Sequence, residues 1–517
     1  MLENIENKTL NAAMLQADFY DHPVAQIQLI ETHISRIYLT GEYAYKIKKP
    51  VNFGFLDFST LQQREFYCQE EIRLNRRLAP EIYLDVMPIT QAHGQLQLNG
   101  SGKVIEYAIR MRQFEADSLF SRLIDENKIN LQHIQSLARR IADFHAQIRS
   151  TDADNFGSAD EIIKPVEDNF RILAENLSDP AQRQQLDRIR NFATTLHAAL
   201  INAFNHRKQS GHIRECHGDL HLGNIALSDE KIIIFDGIEF NDSLRWIDTI
   251  SDLAFLLMDL QDHQHPDYAT HLLNLYLQTT GDYDGLQVLR FYQCYRAMVR
   301  AKVIALRLRQ TAADESKQTD LLQPLQNYLN LAQGYINNAQ PFLAITFGVS
   351  GSGKSWLSQN IADLTAAIVV RSDVERKRLF AADTDALYTT EISHRVYTHM
   401  LSLAEHILNQ GYPVILDATF LDKHWRTLAR ELALRLHMPF YILHCHADPE
   451  ILQKRITNRN NDAQNISDAD LTVLQHQLAT LQALDSSELP HTLSIRTDND
   501  IKFDEIQQRL TQHSRQS

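Results

Sequence analysis

The sequence predicts two architectures in one chain, a mixed α+β region followed by a doubly wound α/β domain on a parallel sheet. Three runs carry that expectation. "AITFGVSGSGKSWLSQN", starting at Ala344, sets an apolar strand, a glycine-rich turn and a helix in series. Behind it, apolar strands alternate with amphipathic helices as far as "PEILQKRITNRN". Ahead of it, "HISRIYLTGEYAYKIKKPV" reads as a hairpin turning at Thr40-Gly41, and "CHGDLHLGNIAL" reads as a polar loop followed by the strand "KIIIF".

Bulk properties narrow the setting. A chain of 517 residues exceeds one ordinary core, and 44% hydrophobic with 22% charged residues is the composition of a soluble globular protein. No apolar run approaches the roughly eighteen residues needed to cross a bilayer. The start, "MLENIENKTLNAAML", lacks a signal peptide's basic head and apolar centre, so the cytoplasm is expected. Net charge of −14 argues against a general nucleic-acid-binding surface and leaves room only for a local basic groove. Cys68, Cys216, Cys294 and Cys445 are far apart and suggest neither a zinc knuckle nor a disulfide framework.

In the first region, His217, Asp219 and Asn224 have the H-x-D-x-x-x-x-N spacing of a phosphotransfer loop, and Asp236 ends the strand "KIIIF". Phosphoryl transfer needs such a set. One carboxylate (Asp219) orients the acceptor hydroxyl, while an amide (Asn224) and a second carboxylate (Asp236) hold Mg²⁺ on the phosphates of ATP. "HGD" and "FDG" resemble the aminoglycoside phosphotransferase and choline kinase branch of protein-kinase-like enzymes. The resemblance implies a bilobal kinase-like fold over residues 1–310, with a small N-lobe to about residue 113 and a helical C-lobe after it. It also implies a strand lysine for the phosphates. "AYK" matches best at Lys46, with Lys48 on the same strand face as the alternative. Glu65, Glu70 and Glu71 in "LQQREFYCQEEIRLNRRL" are the candidates to anchor that lysine, and Glu71 is preferred.

Asp248 and Asp252 read as caps and loop supports. Arg296, Arg300 and Lys302 read as a solvated basic face, with an acceptor-side contact as the alternative. The histidines of "DHQHPDYATH" read as a polar loop rather than as metal ligands. Residues 311–340 read as a connector with a polar break at Thr311 to Thr319. A helix-forming stretch to about Asn338 then places Leu322, Leu325, Tyr328, Leu329, Leu331 and Tyr335 on one face, to pack on the first domain's helical lobe.

From residue 341 to 517 the phosphate loop G-x-x-x-x-G-K-[ST] is satisfied by Gly348, Gly353, Lys354 and Ser355, with Ser350, Gly351 and Ser352 in the turn. Glycines let backbone N–H groups turn inward on phosphate oxygens; Lys354 neutralises phosphate charge and Ser355 is placed to ligate Mg²⁺. Asp417 ends the strand "VIL" as a metal-reaching carboxylate. Asp373 in "RSDVERKRLF" is either an acceptor-side base or the N-cap of the following helix. Arg455 and Arg459, four apart, share a helix face as a phosphate lid or as solvated charges. These motifs resemble the small P-loop kinases related to gluconate kinase, zeta toxins and polynucleotide 5′-kinases, over Pro341 to about Thr497.

Together with "AYKIKKPVNFGFLDFSTLQQRE" and "RLNRRLAPEIYL", the arrangement resembles a bacterial family of fused proteins. In that family an aminoglycoside-phosphotransferase-like domain precedes a P-loop kinase-like domain. The resemblance implies a bifunctional ATP- and Mg²⁺-dependent phosphotransferase acting on hydroxyls of small molecules such as sugars or aminoglycoside-like compounds. The alternative is a nucleotide-regulated, toxin-like or regulatory kinase acting on a protein or RNA end. A binding module with lapsed sites is a third class, against which the intact set of site residues counts.

Overall fold

The computed structural model describes residues 9–54, 56–310, 315–336, 341–381, 389–459 and 470–511. The chain forms two compact units. One gathers Met1–Asn176, Ala193–Asp259 and Tyr295–Lys302; the other gathers Leu177–Phe192, Leu260–Cys294 and Val303–Ser517. The second unit thus draws helices from well before the connector and its sheet from after it.

The first unit contains a kinase-like N-lobe. Its antiparallel sheet has the spatial order Gln28–Glu31, Ser35–Leu39, Tyr43–Lys48, Lys103–Arg112, Tyr83–Ala92, Gln95–Leu98. The hairpin at Thr40-Gly41 pairs Ile37 with Lys46 and Ser35 with Lys48. Alternate residues of the central strands bury Tyr38, Tyr45, Ile47, Ile89 and Ala108 on one face. The opposite face takes helix Leu61–Asn75, which starts from a capping box in which Thr60 and Gln63 satisfy each other's backbone N–H groups. A small hairpin, Ile225–Ser228 with Lys231–Ile234, brings Asn224 and Phe235 to adjacent positions.

The second unit carries a five-stranded, all-parallel sheet in the order Ile368–Arg371, Val414–Asp417, Leu343–Phe347, Phe440–His446, Thr492–Arg496. This is a P-loop fold. Leu343–Phe347 lies at its centre and is wholly buried, which explains its unbroken apolar run.

Two readings of the sequence change here. "DHQHPDYATH" is not a loop throughout, because a helix begins at Pro266 and runs to Thr280 with His271 buried on it. Proline suits the first helical turn, and the apolar "LLNLYL" that follows supplies the buried face. The connector helix starts at Glu315, inside the expected polar break, and runs to Gly334; Thr311 to Asp314 and Asn338 lie outside the described residues. Its Leu325, Tyr328, Leu329 and Ala332 are buried, whereas Leu322 is exposed. Gln326 bonds Gln182 and Gln185, and the Tyr335 hydroxyl bonds Gln261, so this helix packs, as expected, on the helical segment ahead of it, at residues that belong to the second compact unit.

Candidate phosphotransfer sites

Lys46 and Lys48 leave their strand on the same side and meet the Leu61–Asn75 helix at Glu71. Lys46 Nζ is 2.8 Å from one Glu71 carboxylate oxygen, and Lys48 Nζ is 2.7 Å from the other. The two then diverge. Lys46 continues to Asp236, 2.6 Å away, whereas Lys48 is closed in by Glu239 and by the Phe58 ring, whose centroid is 4.8 Å from Nζ. The Asp236 side chain is 47% exposed and the Lys48 side chain 0%, so Lys46 is the lysine bordering open solvent. Burial works to strip the proton from both ammonium groups, and the surrounding carboxylates override it, so both stay charged. Burial likewise pushes Glu71 up, and the two lysines bring it down to about 2. Glu70 is engaged elsewhere, by Arg73.

The loop from His217 to Asn224 is stitched at both ends to Phe235, next to Asp236. The His217 ring Nε2 pairs with the Phe235 carbonyl at 2.9 Å, and its Nδ1 accepts from the Asp219 N–H at 3.3 Å. Burial holds this imidazole below its ordinary pKa, and the bonding pattern is that of the neutral ring. Asn224 donates to the Asp219 carbonyl at 3.0 Å and to its carboxylate at 3.1 Å, while the Asn224 carbonyl accepts from Phe235 N–H. Asp236 takes a left-handed backbone, φ 61°, and its N–H donates to the Tyr83 hydroxyl. Burial pushes Asp219 up, but the His221 imidazole 3.4 Å away, His217 and Arg300 hold it well below the usual carboxylate range. Its side chain is 37% exposed.

Gly218 explains why this loop reads HGD. Its φ is +87°, and a Cβ there would lie 2.7 Å from the Leu244 carbonyl oxygen. Asp252 supports the loop by accepting from His217 N–H at 3.0 Å, Gly218 N–H at 2.9 Å and the His145 ring at 3.2 Å. His145, Cys216 and Asp252 bring ligand-type atoms within 4.8 Å of one another. Asp252 is already saturated by those donors, so the trio is scaffolding. Asp248 is occupied by Arg207, at 2.6 and 2.8 Å. The expected solvated basic face fails at Arg296. That side chain is buried and donates to the Gly218 carbonyl and to Ser251, because the helix delivering it packs under the catalytic loop.

Sequence reasoning missed a further hub. Glu215, two residues before His217, is buried among four guanidinium groups from Arg73, Arg77, Arg149 and Arg245. Burial pushes its carboxyl up; Arg73 and Arg149 bring it down to about 2. Spacing could not reveal these contacts, nor the Lys48–Glu239 pair, since they join segments far apart in the chain.

In the second unit, Gly348, Gly351 and Gly353 all have left-handed or positive φ, and a Cβ on Gly348 would lie 2.4 Å from the Cys445 carbonyl oxygen. The loop wraps tightly, leads into helix Lys354–Thr365, and places Ser355 in that helix's first turn. Lys354 Nζ folds back on the Val349 carbonyl at 2.8 Å, and the buried Ser352 hydroxyl has no hydrogen-bond partner among the described residues. The Ser350 N–H is taken by Gln477 at 2.7 Å. A tight glycine turn at a helix N-terminus, a lysine and an unsatisfied hydroxyl fit a triphosphate. The carboxylate and hydroxyl oxygens of Asp417 and Ser355, like the oxygens of Asp236 and Asn224 in the first unit, are donors suited to Mg²⁺.

Asp417 is buried at the end of its strand, 3.4 Å from Arg371 Nε on the neighbouring strand. Asp373 stands inside the first turn of helix Ser372–Leu379. The N-cap position belongs to Arg371, so Asp373 does not cap the helix. Burial, then the Asp417 charge, hold its carboxyl above its ordinary value. Arg455 lies on the phosphate loop itself, donating to Gly351 O at 3.2 Å, Thr497 Oγ1 at 2.9 Å and Thr497 O at 2.8 Å. Arg459 closes helix Pro449–Arg459, and its side chain lies outside the described residues.

A kinase-like lobe with a lysine–glutamate–aspartate set, and a parallel sheet with a phosphate loop, define an ATP-dependent kinase. The family comparisons agree with the geometry. Residues 63–292 match the model described as phosphotransferase enzyme family, and residues 343–484 match that of an AAA domain. The chain belongs to the same family as "Uncharacterized protein Rv2004c" of Mycobacterium tuberculosis (strain ATCC 25618 / H37Rv). The two are 30% identical over 482 residues, covering 90% of this chain and 94% of the relative. The Mycobacterium bovis protein Mb2027c gives the same values, 30% over 482 residues. Among solved structures, a choline/ethanolamine kinase family protein from Mesorhizobium loti is 12% identical, with TM-score 0.36, covering 63% of this chain and 99% of its own. A gluconokinase from Sinorhizobium meliloti 1021 is 20% identical, with TM-score 0.24, covering 34% of this chain and 92% of its own.

Proposed function

We propose that the chain is a bifunctional phosphotransferase with two separate Mg·ATP sites, each phosphorylating a hydroxyl of a small polar molecule. The observation that carries this reading is that each compact unit assembles its own full set of groups: a phosphate lysine, metal-type oxygens and an acceptor-side carboxylate.

When bound, Mg·ATP supplies the transferable phosphoryl group and neutralises its charge. In the first unit Lys46, held by Glu71, steadies phosphates; Asn224 and Asp236 would hold the metal; and Asp219, kept ionised, orients the acceptor hydroxyl. In the second, the Gly348–Ser355 loop cradles phosphates with Lys354, while Ser355 and Asp417 hold the metal. Arg455 fixes the loop, and Asp373 faces the acceptor hydroxyl. The domain limits we propose are 1–310, 311–340 and 341–517, and the setting is the cytoplasm. A net charge of −14 favours small-molecule acceptors over a nucleic acid.

Calorimetry with a non-hydrolysable ATP analogue tests this. Two sites are expected, with Lys354→Ala removing one and Lys46→Ala weakening the other. A single site, lost in either variant, would refute two kinases in one chain.

A further inference from the structure

The edge strand Ile368–Arg371 has one strand neighbour, Val414–Asp417. Its other side faces helix Pro266–Thr280, and that helix supplies a substitute ladder. Asn274 Nδ2 donates to the Ala367 carbonyl at 2.9 Å, and Asn274 Oδ1 accepts from the Val369 N–H at 2.7 Å. This carbonyl and N–H, flanking Ile368, are the pair a parallel strand residue opposite Ile368 would satisfy. Gln278 Nε2 then donates to the Val369 carbonyl at 3.3 Å. Both amides are buried.

The same segment grips the helix after the strand. The Arg378 guanidinium donates to the Gln278 backbone carbonyl, and the Tyr283 hydroxyl donates to Glu375 Oε1 at 3.0 Å. Glu375 is wholly buried and also meets Arg378 and His399. Gln278 therefore holds the strand with its side chain and the Ser372–Leu379 helix with its backbone. Asp373 lies between the two grips, two residues after the strand and two before Glu375.

We infer that Asn274, Gln278 and Tyr283 are positioning residues for Asp373. The Pro266–Gly285 segment, although matched by the phosphotransferase family model, is thus a working part of the P-loop site. An edge strand is the least restrained part of a sheet, and a reacting carboxylate loses rate when displaced by about 1 Å. This inference rests on Asp373 serving the second site as proposed above.

The test uses the full chain and defines second-site turnover as the part of ATP hydrolysis that Lys354→Ala removes. Asn274→Ala and Gln278→Ala are expected to lower that turnover at least tenfold while ATP-analogue affinity stays within twofold. Tyr283→Phe should lower it a few-fold. Hydrogen exchange in Asn274→Ala should quicken at Val369 and across 372–379, and stay slow in Leu343–Phe347. Turnover unchanged beside faster exchange overturns the inference. A parallel loss of affinity and turnover does so too, since it marks general structural damage. If the parent chain has no Lys354-dependent turnover, the second activity itself is refuted, and unchanged exchange at 372–379 still overturns the positioning role.

Discussion

Replacing Lys48 and Lys46 by methionine separates two lysines that stand two residues apart. Lys48 has no exposed side-chain surface and compensates Glu71 and Glu239, both buried. Its removal leaves buried Glu239 without the ammonium that pairs with it and beside the Glu71 carboxylate, and breaking such a buried pair costs about 3–5 kcal/mol. Lys46→Met leaves Glu71 still paired with Lys48 and Asp236 free to hydrate through its 47% exposed side chain, so its cost is expected to be the smaller of the two. The order inverts for nucleotide. Lys46→Met is expected to weaken ATP-analogue binding at the first site at least tenfold, and Lys48→Met, measured where it is still folded, to leave it nearly intact. A chain of two units need not unfold in one step. Stability is therefore read as urea-dependent amide protection in Tyr43–Lys48 and Leu61–Asn75. Lys48→Met combined with Glu239→Gln should recover part of the loss, because the stranded charge is gone. Equal loss of protection in both single variants, or nucleotide affinity lost through Lys48, would refute the assignment of Lys46 to the phosphates.

Other expectations rest on the same charges. Asp417→Asn removes a repelling charge beside Asp373, so the acid limb of second-site turnover should shift to lower pH; an unmoved limb would exclude Asp373 as the titrating base. The buried His217 sits below its ordinary 6.5, so the unfolded chain binds a proton that the folded chain refuses. First-unit stability should therefore fall as pH drops below about 6.5. His217→Gln should flatten that decline, measured by urea unfolding at pH 7.5 and 5.5. Glu215, held at about 2 against an ordinary 4.5, contributes stability that is present above about 4.5 and lost as pH falls toward 2. Glu215→Gln should be less stable at neutral pH and less acid-sensitive below 4.5. Gly218→Ala should destabilise by about 1–3 kcal/mol through backbone strain, seen as a lowered unfolding temperature of the first unit.

Legibility in the sequence followed range. The phosphate loop, the alternation behind it and the hairpin bearing Lys46 are set by neighbours a few residues away, and local pattern revealed them. The H-x-D-x-x-x-x-N run was equally readable because one short loop holds all three groups. Glu71 could be narrowed to three glutamates, since helical spacing alone does not say which one faces the lysine strand. Lys48–Glu239, Glu215 with its arginines, and Arg296 under Gly218 were hidden. Each joins segments tens to nearly two hundred positions apart, and none belongs to a motif. Asn274 and Gln278 were harder still: amides on a helix resemble ordinary polar residues until a strand edge is seen beside them.

The interleaving of the second unit also bears on synthesis at the ribosome. Helix Pro266–Thr280 and its neighbours up to Cys294 emerge before any strand of the sheet, and the strand that this helix holds, Ile368–Arg371, is complete only roughly 90 residues after Thr280. At about 5–20 residues per second, that leaves the helix face without its partner strand for about 5–18 seconds on each nascent chain. The first unit, whose lobe and catalytic loop are complete by Asp259, has most of its contacts available during that interval. Translation pauses after Cys294, or truncated messages ending in the connector, should therefore yield chains that engage chaperones through the 260–294 segment while the first unit already resists protease.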